Sequence, residues 1–248
     1  MILTSQIATQ LDVLMAGHLL ALASLALYDF SKNLMSIADM PARVLNVSSF
    51  ATIRKLMVGG EMEKVREVYN KATFFQFAIG LAVATLILLN LDFLVSKLPP
   101  RGYDMVYPIL TVLLVAKLFD LLTGMNWAII SVSEHYNFNL MISIATLAIA
   151  LPAQYILTQN FGIQGVAMGF LVSIVVMNVF RSFVVYRKFS ILPWSRYWLY
   201  LGVLLTMAVG VLLGYTFLGG NGIILSVLFV LAFGGYSYFL FNRGLIKV

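Results

Sequence analysis

About eight apolar segments, each long enough to cross a bilayer, fill almost the whole chain and leave it little else to become. They run over about 2–20, 22–58, 72–95, 104–131, 136–158, 163–186, 196–217 and 222–242. A spanning helix needs about 20 predominantly apolar residues. Composition agrees: 61% of the 248 residues are hydrophobic and 10% are charged, whereas a soluble domain carries about 25% charge. So few charges cannot cover a water-facing surface. The expected fold class is all-α integral membrane, with about eight transmembrane helices. A soluble enzyme, a nucleic-acid-binding module and a disordered chain are excluded. The chain has no cysteine, which removes disulfides and thiolate metal sites.

The segment over 22–58 is too long for one crossing. At 1.5 Å per residue it extends roughly 55 Å, against a hydrocarbon core of about 30 Å, so its end should project into water. The following stretch, about 60–71, holds Glu61, Glu63, Lys64, Arg66, Glu67 and Lys71 and reads as an amphipathic surface helix. Leu98-Pro-Pro-Arg-Gly, Asn160-Phe-Gly-Ile-Gln-Gly and Gly219-Gly-Asn-Gly are turn-forming breakers. Orientation follows from the basic residues between spans. Arg54, Lys55, Lys64, Arg66, Lys71, Arg181, Arg187, Lys188, Arg196, Arg243 and Lys247 fall on one side, and only Lys97 and Arg101 on the other. Both termini are expected in the cytoplasm, in a multi-pass protein of the cytoplasmic membrane. The start, inside an apolar segment, shows no basic region and no cleavage site, so a signal peptide is not expected there.

An ionisable group inside a span costs roughly 2.5–3.5 kcal/mol on insertion scales and persists where it lines a wet cavity or meets a partner. Asp29, Lys32, Ser36, Asp39, Arg43 and Asn46 recur at spacings of three and four, which places them on about a 100° arc of one helix. This polar stripe either faces a water-filled cavity and a polar substrate, or neutralises itself through Asp29–Lys32 and Asp39–Arg43 pairs; the two are compatible. Lys117 and Asp120 form a second buried pair, either a further cavity element or a helix–helix salt bridge, with Asn126 to one side. Asp12 is a candidate proton or cation site, or a partner for Lys32 or Arg43. Pro41, Pro108 and Pro152 can kink their spans. Gly165-Val-Ala-Met-Gly169 allows close helix packing. His18 and His135 fall on opposite sides of the membrane, with no metal-ligand cluster and no phosphate-cradling loop. Neither a catalytic constellation nor a cofactor site is present, so the chain is not expected to be an enzyme.

Several stretches carry a resemblance in order along the chain. Gln10-Leu-Asp-Val-Leu-Met-Ala-Gly-His-Leu-Leu, followed by Leu27-Tyr28, resembles the start of the second half of polysaccharide-biosynthesis flippases. These belong to the multidrug/oligosaccharidyl-lipid/polysaccharide (MOP) flippase superfamily. Gly59 to Ala72 resembles the cytoplasmic helix between that half's second and third spans. Phe119-Asp120-Leu-Leu-Thr-Gly124-Met-Asn126 resembles the Asp-x-x-Thr-Gly-x-Asn run of one branch, and Leu157 to Ala167 and Met177-Asn178-Val-Phe-Arg181 resemble the turn into the next span and its end. The resemblance implies a second six-helix lobe over 1–188 and two further C-terminal spans over 189–248, the first lobe being absent. The chain then reads as part of a longer or split transporter that needs a missing N-terminal lobe or a second copy.

The implied function is a flippase that moves a polyprenyl-pyrophosphate-linked oligosaccharide across the membrane by alternating access, for polysaccharide biosynthesis. Lys32, Arg43, Lys117, Ser36, Asn46 and Asn126 would meet substrate. Asp12, Asp29, Asp39 and Asp120 would balance charge or couple to an ion. The alternatives are a drug or cation antiporter of the same superfamily, an inactive fragment or scaffold, and a membrane-embedded glycosyl- or acyltransferase.

Overall fold

The computed structural model describes residues 12–13, 17, 20–96, 103–191, 198–218 and 221–242. Regular structure among them is helical: α1 (Leu22–Val58), α2 (Met62–Leu89), α3 (Leu91–Val95), α4 (Val106–Thr123), α5 (Asn126–Val132), α6 (Asn137–Phe189), α7 (Trp198–Leu218) and α8 (Gly222–Asn242), with a 3₁₀ turn at Tyr103–Met105. Five of these helices are long and apolar enough to cross a membrane, and the chain is a multi-pass helical membrane protein. The expected first span and His18 lie outside the described residues, apart from Asp12, Val13, Gly17 and Leu20.

Three expectations need revision. The charged stretch over about 60–71 and the span after it are one continuous helix, α2, because nothing between Met62 and Leu89 breaks helical geometry. The segment over 104–131 is two helices. α4 stops at Thr123, and Gly124 takes φ 70° and ψ −148°, a backbone region essentially reserved for glycine. Pro108 does not kink a span, since it sits in the first turn of α4, where its missing N–H has no intrahelical partner to lose.

The breaker at Asn160-Phe-Gly acts as expected. α6 reverses at Gly162, where φ is 56° and ψ −131°, so residues 137–161 and 163–189 form two antiparallel arms. Their contact depends on small residues. A Cβ on Gly165 would lie 1.9 Å from the Leu157 carbonyl oxygen, and one on Gly169 would lie 1.9 Å from Gln154 Oε1. Gln154 Nε2 donates across the arms to the Val166 carbonyl at 3.2 Å.

α1 continues as a single 37-residue rod with Pro41 inside it, and packs along α2 and α4 through Tyr28, Met35, Ala38 and Ile53. α2 is the central element. Two faces serve two clusters: Val65, Tyr69, Ala72 and Ile87 join the main core, while Phe74, Phe77, Ala78 and Leu81 receive the α7–α8 hairpin through Leu201, Leu204, Ala208 and Phe229. In the apolar window of α2, 67% is buried in protein, against 17% for α7 and 11% for α8. The hairpin therefore offers most of its apolar surface to lipid. Asn90 Nδ2 fastens it by donating to Ser226 Oγ at 2.7 Å.

At one end of the bundle Arg66 Nη2 donates to the Ser190 carbonyl at 3.1 Å. This joins the start of α2 to the end of α6 and gathers Arg54, Lys55, Lys64, Arg66, Arg187 and Lys188 at the same end.

Candidate functional site

A cavity of about 250 Å³ opens between α1, α2, α4, α5 and the returning arm of α6. Its polar lining is Asp39, Arg43 and Asn46 from α1, Gln76 from α2, Lys117 and Asp120 from α4, and Asn178 and Arg181 from α6. The helical repeat of α1 supplies the first three, because positions three and four apart share a face. Gly124 and Trp127 close the cavity where α4 gives way to α5.

The charged groups form one connected set. Lys117 Nζ lies 2.6 Å from Asp39 Oδ1 and 2.8 Å from Asp120 Oδ2. Arg43 Nε donates to the other oxygen of Asp39 at 2.9 Å. Asn178 Nδ2 donates to the other oxygen of Asp120 at 2.9 Å. Gln76 Nε2 donates to Asn46 Oδ1 at 2.8 Å, which ties α2 to α1. The two i,i+3 and i,i+4 pairs are those the sequence spacing predicts. The Lys117–Asp39 pair is a long-range contact that spacing alone does not reveal.

Arg181 is the cavity residue that the sequence alone does not single out. The sequence places it at the end of the sixth span, among the basic residues of one membrane side. It lies two turns inside the arm, 9% exposed, against the cavity. Its Nε is buried and meets no acceptor among the described residues. A buried N–H without an acceptor is costly, and the same guanidinium lies within electrostatic reach of the Asp120 carboxylate. Three bases and two acids line the cavity, giving one surplus positive charge at neutral pH. The available signal was the Asn178–Arg181 spacing of three inside an apolar run.

The remaining candidates lie elsewhere. Lys32 is not paired with Asp29, as spacing suggested. Its Nζ lies 2.7 Å from Asp12 Oδ2, and Tyr28 Oη donates to the same oxygen. The Lys32 ammonium also lies 5.6 Å from the Phe170 ring centroid and 5.8 Å from that of Tyr28. Asp12 therefore takes the second of the roles expected for it, a partner for Lys32, and its other oxygen is buried and meets no donor among the described residues. Asp29 is exposed, and Ser36 Oγ donates to its own helix at the Asn33 carbonyl. The polar stripe thus divides, with only Asp39, Arg43 and Asn46 reaching the cavity.

Asn126 is outside the cavity lining and 1% exposed. It accepts from Tyr69 Oη at 2.7 Å and donates to Ser182 Oγ at 2.9 Å. Tyr69 Oη also lies 2.8 Å from the Thr123 carbonyl, so Asn126 and Tyr69 together hold the α4–α5 break against α2 and α6. Glu134 and His135 line a separate pocket at the basic end, with Met57, Met62 and Phe189. No group of three or more metal-ligating side chains occurs among the described residues.

Compared with models of protein families, with curated proteins and with solved structures, the chain matches none.

Proposed function

We propose that the chain is a transporter lobe that receives the anionic head of a lipid-linked oligosaccharide, as the resemblance to MOP-superfamily flippases implies. The observation that supports this most is the surplus positive charge of a polar cavity, with Arg181 buried there and its Nε without an acceptor among the described residues. Lipid surrounds such a bundle, and a charged cavity inside it has a use only for a polar or ionic guest. Arg181 and Arg43 present planar forks suited to phosphate oxygens, and Lys117 adds a point charge on a flexible stem.

In this reading the pyrophosphate sits among these three cations, with the glycan in the adjoining wet space. The basic end of the bundle faces the cytoplasm under the positive-inside rule. Alternating access requires two lobes that rock against each other, so the chain works with a second lobe, on another chain or from a second copy.

A cation antiporter would need a cavity with surplus negative charge, opposite to the one described above. Competition binding on the purified chain separates the two. A short-chain prenyl pyrophosphate should displace a labelled pyrophosphate lipid, and tetraphenylphosphonium should not. Displacement by the organic cation alone would refute the proposal and favour the antiporter.

A further inference from the structure

We propose that the pocket at the basic end of the bundle docks a water-soluble partner protein, which inserts the apolar anchors of an acidic helical segment. The pocket holds about 400 Å³. The turn from α1 to α2 contributes Met57, Val58 and Met62, and the α5–α6 connection and the end of α6 contribute Val132, His135 and Phe189. Its walls are set before any partner arrives. The Glu61 N–H donates to the Leu56 carbonyl at 2.9 Å across the glycine pair. The His135 N–H donates to Ser133 Oγ at 3.1 Å, and the His135 ring stacks on Phe138 at 5.9 Å and meets Phe189 edge-on at 6.0 Å. A preformed pocket spends little of its binding energy on ordering side chains.

Height separates this pocket from the bilayer. Charged side chains recur on α2 from Glu63 to Lys71, so hydrocarbon starts no nearer the pocket than Lys71. Met62 stands nine residues beyond Lys71 on the same helix, roughly 13 Å at 1.5 Å per residue. Headgroups add only about 5–8 Å to each face of the hydrocarbon core. The pocket therefore opens to water, past the lipid surface, with Val58 82% exposed at its edge. An apolar opening in that position marks a binding surface, and methionine walls repack around anchors of different shape.

Charge selects the occupant. Lys64, Arg66 and Lys71 already pair with Glu61, Glu63 and Glu67 on α2. Arg54, Lys55, Arg187 and Lys188 meet no acid among the described residues. Glu134 is the one acid in the pocket lining, so four bases at this end stand against it. Lys188 adjoins Phe189 and Lys55 lies two residues before Met57, which sets the surplus beside the apolar floor. A basic rim around an apolar floor fits an amphipathic helix that presents apolar residues at i and i+4 with carboxylates beside them. An uncharged apolar molecule would fill the floor and leave the rim without a counterpart.

The test uses the full chain in phosphatidylcholine nanodiscs. Because the chain has no cysteine, Val58→Cys carries a single bimane label. Aqueous iodide should quench it and doxyl-labelled lipid should not; the reverse overturns the proposal, since the pocket then lies in the bilayer. The binding probes are three fluorescein-labelled peptides, each with a pair of Leu, Phe or Trp residues four apart and Glu and Ala elsewhere. At least one should bind the parent chain with a Kd below about 50 µM. Replacing its Glu residues by Lys, or its apolar pair by Ser, should each weaken it about tenfold. Val58→Asp, a change at an exposed position, should weaken the acidic peptide by a similar factor. Arg187→Glu with Lys188→Glu, both exposed, should weaken the acidic peptide and strengthen its Lys counterpart, a reversal that an unfolded chain would not give. The proposal is overturned if no peptide binds, if empty nanodiscs bind as well as loaded ones, or if binding ignores both the apolar pair and Val58→Asp and follows charge alone.

Discussion

Lys117→Met is the most informative single perturbation of the charged set. It deletes the ammonium that two acids on two helices share at 2.6 and 2.8 Å. Removing one partner of a buried ion pair costs about 3–5 kcal/mol, because the remaining charge is left uncompensated. Two features place this site at the low end of that range. The side chains of Lys117, Asp39 and Asp120 keep 15%, 18% and 27% exposure, so water in the cavity relieves part of the penalty. Arg43 and Asn178 also remain in place. The expected loss is about 3 kcal/mol, read as reversible unfolding of the purified chain in mixed micelles. The triple variant Lys117→Met, Asp39→Asn, Asp120→Asn removes the orphaned charges as well. It should return to within about 1 kcal/mol of the parent, a non-additivity expected only of groups in one network. A single variant that loses less than about 1 kcal/mol, or a triple variant no better than the single, would show that Lys117 does not neutralise these acids.

Three further outcomes follow from the helix break and the hairpin. Gly124→Ala forces alanine into a glycine-only conformation and sets its Cβ 2.1 Å from Thr73 Oγ1, so the same unfolding assay should register a loss of about 2–4 kcal/mol. Tyr69→Phe removes the one O–H that lies within reach of both Asn126 Oδ1 and the Thr123 carbonyl and should cost about 1–3 kcal/mol; an unchanged midpoint would show that the break is held by other contacts. Because the chain has no cysteine, Asn90→Cys with Ser226→Cys gives a clean cross-linking pair, and mild oxidation should produce a disulfide-dependent mobility shift on a denaturing gel if α8 docks where Asn90 and Ser226 meet.

The parts of this architecture that depend on local pattern were legible in the sequence. Apolar length located the rods, Asn160-Phe-Gly marked the reversal of α6, and spacings of three and four marked the Asp39–Arg43 and Lys117–Asp120 pairs. The break at Gly124 was less visible, because Thr-Gly-Met lies inside a run that stays apolar on both sides; only the φ of Gly124 and the fit against Thr73 reveal it. The cavity was legible by half. A polar stripe on α1 says that something polar faces it, but not which positions share a wall. Lys32 and Asp39 are seven residues apart on one face, yet they meet different neighbours, Asp12 and Lys117. Gln76, Asn178 and Arg181 come from other helices and are joined to the site only by packing. Arg181 follows the same logic: its nearness to Arg187 and Lys188 in sequence counts it with the basic side, and only packing turns it to the cavity.

The central claim is that Arg181 holds the cavity open to a pyrophosphate anion, and one comparison tests it most directly. The affinities of the parent and Arg181→Gln chains are measured for a short-chain prenyl pyrophosphate and for the uncharged prenyl alcohol. Loss of a charged hydrogen-bonding partner is worth about 1.5–3 kcal/mol. The account predicts a pyrophosphate affinity about 10- to 100-fold weaker in the variant, with binding of the alcohol unchanged. Equal pyrophosphate affinity in the two chains would contradict it.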